Sequence, residues 1–127
     1  MTSPNTIALF LSDLRVGGAE RVAVNLANGF SDRGYYVDLV LAKKEGQYLP
    51  LISSEVTSVD LDADSAIKAL PKLTKYLKRH NPAVLIAFME INNLLAVWSK
   101  NLVGVNTKVL ISIHSILSLA KKNSDNF

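Results

Sequence analysis

Thr6-Ile7-Ala8-Leu9-Phe10-Leu11-Ser12, followed after a short polar turn by Val16-Gly17-Gly18-Ala19-Glu20-Arg21-Val22, is the stretch that decides the fold. Its first seven residues are a short, almost continuous apolar run rather than an alternating one. Such a run predicts a central strand of a parallel sheet, buried on both faces. Beyond the glycines, Ala19, Val22, Ala23, Leu26, Ala27 and Phe30 recur at i, i+3, i+4 and i+7. That spacing predicts one apolar helix face, with Gly34 as the stop. A buried strand running into an amphipathic helix through a glycine turn is the opening unit of an α/β domain.

The pattern repeats downstream. Tyr36 to Ala42 reads as a second strand, followed by a turn at Lys43-Lys44-Glu45-Gly46, and Val56 to Leu61 is a weaker third. Ala66, Leu70, Leu73 and Leu77 keep helical spacing within Ser65–Arg79. Asp62 or Asp64 is available as the N-cap of that helix, and Pro71 predicts a late start or a kink. Ala83 to Met89 is the second strongly buried strand, set off from the helix by Pro82. Ile91, Leu94, Leu95, Trp98 and Leu102 form a further helical stripe ending at Gly104, and Val109 to Ile113 predicts a fifth strand. Strands alternating with helices of this length imply right-handed crossovers and a doubly wound, Rossmann-like parallel sheet of order 3-2-1-4-5.

Composition narrows the function classes. The chain has 127 residues, 49% hydrophobic, with six Gly and four Pro, which fits one globular domain with a real core. It contains no cysteine, so disulfides, thiolate metal sites and a thiol nucleophile are excluded. No export signal precedes the first strand, and no apolar run approaches the ~20 residues that span a bilayer. The cytoplasm is the expected compartment. The net charge of +3 lacks the interleaved arginines and aromatics of a nucleic-acid surface, so no nucleic-acid partner is expected.

In an open doubly wound sheet, ligands sit outside the carboxyl ends of the strands where strand order reverses. The relevant loops begin at Ser12-Asp13, Met89-Glu90 and Ile113-His114. Gly17-Gly18 at the first helix start offers unpaired N–H groups and a positive dipole end to an anion, with no side chain to keep a phosphate away. A tight strand-to-helix turn needing positive φ accounts for the same two glycines without any ligand. The dinucleotide fingerprint G-x-G-x-x-G is absent for want of a third glycine, and no G-x-x-x-x-G-K-[ST] loop exists.

The segment Val16-Gly17-Gly18-Ala19-Glu20-Arg21-Val22 resembles the GGAE(R) turn of GT4-type retaining glycosyltransferases. Asn25-Leu26-Ala27, Arg33-Gly34-Tyr35, Asn81-Pro82-Ala83-Val84-Leu85, Asn93-Leu94-Leu95-Ala96, Val103-Gly104-Val105 and Ser112-Ile113-His114 are similar to family segments in the family order. The resemblance implies half of a GT-B architecture, in which two Rossmann-like domains face each other across a cleft. It makes residues 1–120 a partial N-terminal, acceptor-side domain, with 121–127 a polar tail. The implied activity moves a sugar from a nucleotide-diphosphate sugar to a saccharide or lipid-linked acceptor. The donor would be held mainly by a C-terminal domain beyond Phe127, so the isolated chain is expected to be inactive and to self-associate through uncovered apolar surface.

Carried over position by position, the resemblance gives Gly17 and Gly18 the donor diphosphate, stabilising charge as it departs, a role that needs no metal or other cofactor. It gives His114 a place by the reacting sugar as the catalytic candidate, although Ile113 stands where related sequences often carry an acid. Glu90 and Asn93 are acceptor candidates, since carboxylates and amides read sugar hydroxyls, and simple helix capping is the competing explanation. Arg15 either pairs with an anionic acceptor or is merely solvated. Glu20 belongs in the first helical turn, where the dipole stabilises it and where it would repel a diphosphate. His80 is explained by the adjacent helix C-terminus.

Lys68, Lys72, Lys75 and Arg79 share one helix face. This is either a solvated face or a contact with the anionic inner surface of a membrane. Two other function classes remain beside the glycosyltransferase: a stand-alone α/β nucleotide-binding or protein-interaction module, and an oxidoreductase domain.

Overall fold

The computed structural model describes residues 6–15, 17–88 and 107–110. Five strands and two helices follow in the order β1 (Thr6–Leu11), α1 (Gly18–Asp32), β2 (Tyr36–Leu41), β3 (Thr57–Asp60), α2 (Ala66–His80), β4 (Val84–Ala87) and β5 (Lys108–Leu110). A single 3-10 turn, Leu49–Leu51, lies between β2 and β3. The expected helix over Ile91–Leu102, the continuation of the fifth strand to Ile113, and the 121–127 tail lie outside the described residues.

The strands form one parallel sheet of order β3-β2-β1-β4-β5, as the sequence predicts. Phe10 of β1 pairs with Val40 on one side and Ala87 on the other, so β1 is central. Alternate residues of the same strand serve two cores. Ala8 and Phe10 join Val40, Leu85 and Ala87 beneath α2, whereas Leu9 and Leu11 join Leu39, Leu41 and Ile86 beneath α1. Helices on both faces are why the strands read as continuous apolar runs. Each fully buried Leu or Phe contributes roughly 1.5–3 kcal/mol relative to exposure.

Helix α1 buries Ala19, Ala23, Val24 and Ala27 against its face of the sheet, and Arg33 and Gly34 (φ +93°) end it. Helix α2 departs from expectation in two ways. Its N-cap is Ser65, whose Oγ accepts the Lys68 N–H, and neither Asp62 nor Asp64 takes that role. It also starts at Ala66, without the late start that is one of the two effects expected of Pro71, and runs to His80 with Pro71 inside it. Pro71 is exposed, as is Ile67 one turn earlier, so the carbonyl that loses its partner faces water. Asn81, in the left-handed conformation (φ 43°), closes the helix by donating its N–H to the Leu77 carbonyl.

With α1 and α2 on opposite faces, strand order reverses between β1 and β4, and open α/β sheets place their ligands outside the carboxyl ends of the strands at such a switch point. No helix among the described residues is long and apolar enough to cross a membrane.

Candidate functional site

At the carboxyl ends of β1, β2 and β3 lie the loop after β1, the start of α1, the loop after β2 and the start of α2. In the β1 loop, Asp13 is buried, and its carboxylate accepts the backbone N–H of Arg15 at 3.0 Å and the Arg15 Nε–H at 2.9 Å. This two-residue clasp shapes the loop and satisfies the buried acid. Arg15 therefore has a partner within its own loop that sequence reading passed over, while most of its side chain stays in solvent.

The loop after β2 is fastened to the β1 loop by the Lys43 N–H to the Ser12 carbonyl (2.9 Å), Leu14 N–H to Glu45 carbonyl (2.8 Å) and Tyr48 N–H to Leu14 carbonyl (3.1 Å). Gly46 lies between the last two. Its φ of +128° and the adjacent Leu14 backbone leave no space for a β-carbon. Arg21 stacks its guanidinium 5.8 Å from the Tyr48 ring centroid, a cation–π contact that ties α1 to the same loop.

Gly17 is the N-cap of α1 and Gly18 its first residue. Of the two readings of this pair, the one that needs positive φ does not hold at Gly17, which is extended (φ 180°, ψ 164°), a conformation open to any residue. Gly34 and Gly46 are the positive-φ glycines among the described residues. No side chain caps the helix at Gly17, and the Glu20 carboxylate folds back over it, filling the space that a β-carbon at 17 would enter. Glu20 thus lies over the same helix end that would attract an anion.

Beside this turn, on the α2 side, is a cleft of about 170 Å³. Its floor is Ala42 and Ala63, both buried, and its rim carries Asp13 and Arg15 opposite Lys43 and Asp64. Lys43 Nζ lies 2.6 Å from Asp64 Oδ1. Their hydrogen bond, followed by their mutual attraction, lowers the Asp64 carboxyl below its ordinary value and raises the Lys43 ammonium above its own. Lys43 and Asp64 come from elements 21 residues apart, so no local spacing announces the pair. The Asp13-x-Arg15 spacing was legible, and would have supplied a partner for Arg15.

Of the expected site residues, Arg15, Gly17 and Gly18 therefore sit together at the carboxyl end of β1. Glu90, Asn93 and His114 lie outside the described residues. The basic stripe is partly gathered by a second, outer groove of about 300 Å³, where Lys72, Lys75, Arg79 and His80 face Asp60 along β3. Lys68 is not in it. His80 stacks on Tyr76 with ring centroids 4.8 Å apart, which gives it a structural partner in addition to the helix end.

The family model described as Glycosyltransferase Family 4 matches residues 16–126. No curated protein matches the sequence. Among solved structures, the chain is similar to the apo form of the lipopolysaccharide outer core galactosyltransferase WaaB, with 17% identity and a TM-score of 0.66. That match covers 84% of this chain and 32% of the other, so this chain spans about a third of the length of that structure. At that identity the likeness concerns the fold, a GT-B-type Rossmann-like domain.

Proposed function

The chain belongs to glycosyltransferase family 4, and from that premise we propose that it forms the acceptor-side wall of an enzyme that moves a sugar from a nucleotide-diphosphate donor to a saccharide or lipid-linked acceptor. The observation that carries this reading is the Gly17-Gly18 turn at the carboxyl end of the central strand, whose glycines are not required by backbone conformation. A helix start with no side-chain cap, beside the switch point, fits a diphosphate leaving the anomeric carbon once Glu20 is displaced. The acceptor hydroxyl takes its place there, with retention of configuration. Glu20 swings off Gly17 when the diphosphate arrives.

In this reading Arg15 stands on the acceptor side of the switch point. Glu90 and Asn93 contact acceptor hydroxyls, and His114 orients the reacting groups. Most of the donor contacts come from a second domain across the cleft, so residues 1–120 alone bind donor weakly and do not turn it over. The complete gene product, incubated with a panel of nucleotide-diphosphate sugars with and without saccharide and lipid-linked acceptors, should hydrolyse or transfer at least one. No turnover and no binding across the panel would remove the proposal.

A specific observation also supports a membrane-facing surface. Lys72, Lys75 and Arg79 line one groove, and among the described residues neither Lys75 nor Arg79 has an acidic partner within ion-pair distance. Such a face suits an anionic leaflet and would bring the switch point to a lipid-linked acceptor. Co-sedimentation with phosphatidylglycerol vesicles should occur at low salt and fade as salt rises. Equal behaviour with neutral phosphatidylcholine vesicles would rule the contact out.

A further inference from the structure

The cleft on the α2 side of the glycine turn has a charge pattern that selects among acceptors. We infer that it seats one neutral, polyhydroxylated sugar ring of the acceptor and discriminates against anionic sugars, an inference that rests on the glycosyltransferase reading above.

Position is the first argument. The cleft opens at the carboxyl ends of β1, β2 and β3, and Arg15 on its rim is two residues from Gly17. A ring seated there lies next to the place where the diphosphate departs.

Charge is the second. Each cation on the rim is already matched, Arg15 by Asp13 and Lys43 by Asp64. Among the residues that line the cleft, an incoming carboxylate or phosphate finds no unmatched positive charge and meets two acids, so it is disfavoured twice. A neutral ring meets neither penalty. It finds donors in the Arg15 N–H groups that Asp13 leaves unused, and acceptor capacity in the largely exposed Asp64 carboxylate. Sugar hydroxyls donate and accept, and so use both.

Shape is the third. The Ala42 and Ala63 methyl groups offer an apolar floor to the C–H face of a ring, and the cleft exists because these positions are small. A volume of about 170 Å³ is below the ~300 Å³ lower end of pockets for drug-sized ligands, which limits it to one ring.

The test is an amide-resolved NMR titration of the full 127-residue chain with methyl β-glucopyranoside, methyl β-galactopyranoside, glucuronate and glucose 6-phosphate. At least one neutral glycoside should shift the Arg15, Lys43, Asp64 and Ser65 amides saturably, with the anions at least tenfold weaker. Ala63→Leu should abolish the response. Asp64→Asn, an exposed change with little demand on folding, should leave Lys43 unmatched and raise glucuronate affinity. Anions binding as well as neutral sugars, or no response at these amides, overturns the inference. Uridine diphosphate and the same saccharides titrated into the complete gene product separate the two claims. Shifts at Gly17 and Gly18 without any saccharide response sink the cleft and spare the glycosyltransferase reading, whereas saccharide shifts without a diphosphate response uphold the cleft and count against that reading of the turn.

Discussion

The backbone of Gly46 lies against the carbonyl of Leu14 so closely that a single methyl group at position 46 would overlap it. Two hydrogen bonds flank the contact, Leu14 N–H to the Glu45 carbonyl and Tyr48 N–H to the Leu14 carbonyl. The approach fixes the loop after β2 against the loop after β1, and so sets Asp13, Arg15 and Lys43 in relation to one another. Gly34 offers an internal control, since it also has positive φ (+93°) but open space at its β-position. Gly34→Ala should cost about 1 kcal/mol from backbone strain alone. Gly46→Ala should cost about 3 kcal/mol or more, because steric overlap adds to the strain. Thermal unfolding of the two variants measures the difference, and equal losses would show that the two loops can part without cost.

Helix α2 begins on a side-chain cap, Ser65 Oγ accepting the Lys68 N–H. Ser65→Ala should destabilise the chain by about 1 kcal/mol, and Ser65→Asp should preserve stability. If Asp62 or Asp64 moved in to cap the helix, Ser65→Ala would leave the denaturation midpoint unchanged.

Tyr76, on α2, is buried against the sheet and donates its hydroxyl to the Asp38 carboxylate. Burial first, and then that hydrogen bond and charge, push the phenol well above its ordinary value. The folded value exceeds the unfolded one of about 10, so the contribution is intact below pH 10 and is lost as pH rises beyond it. Stability should fall on the alkaline side, and Tyr76→Phe should flatten that decline. At neutral pH the same change should cost about 1.5–3 kcal/mol, since Asp38 loses a donor. Urea denaturation from pH 7 to 11 reads both effects, and an unaltered alkaline slope in Tyr76→Phe would contradict the assignment.

Glu20 covers the helix end that the proposed function gives to a diphosphate. Glu20→Gln should bind uridine diphosphate several-fold more tightly, since a competing negative charge is gone. It should lose only about 0.3–1 kcal/mol of stability from the weakened interaction with the helix dipole. Weaker binding in this variant, measured by calorimetry, would make Glu20 a ligand contact and not a competitor.

The sheet was legible because its inner strands are buried twice over. Leu9 and Phe10 point to opposite faces and both are fully buried, so β1 carries an unbroken apolar signal. The edge strand β3 reads Thr-Ser-Val-Asp, with only Val59 packed against a core, so periodicity barely marks it. The α2 cap was missed because three oxygen-bearing side chains precede the helix within four residues, and composition does not choose among them. The glycine turn was found from sequence, which left open whether positive φ or an anion accounts for it. Positive φ belongs to Gly34 and Gly46, not to Gly17. Lys43 and Asp64 meet only through the parallel order of β2 and β3, which local spacing does not encode.

That distinction gives the most direct test of the central claim, that Gly17 is present for a ligand and not for the fold. Gly17 is extended, and the atoms nearest a β-carbon there belong to the far end of the flexible Glu20 side chain. The decisive measurement pairs thermal unfolding of Gly17→Ala with its binding of nucleotide-diphosphate sugar in the complete gene product. Stability should stay within about 0.5 kcal/mol of the parent, with donor affinity reduced at least tenfold. A variant that loses stability while retaining donor affinity would contradict it.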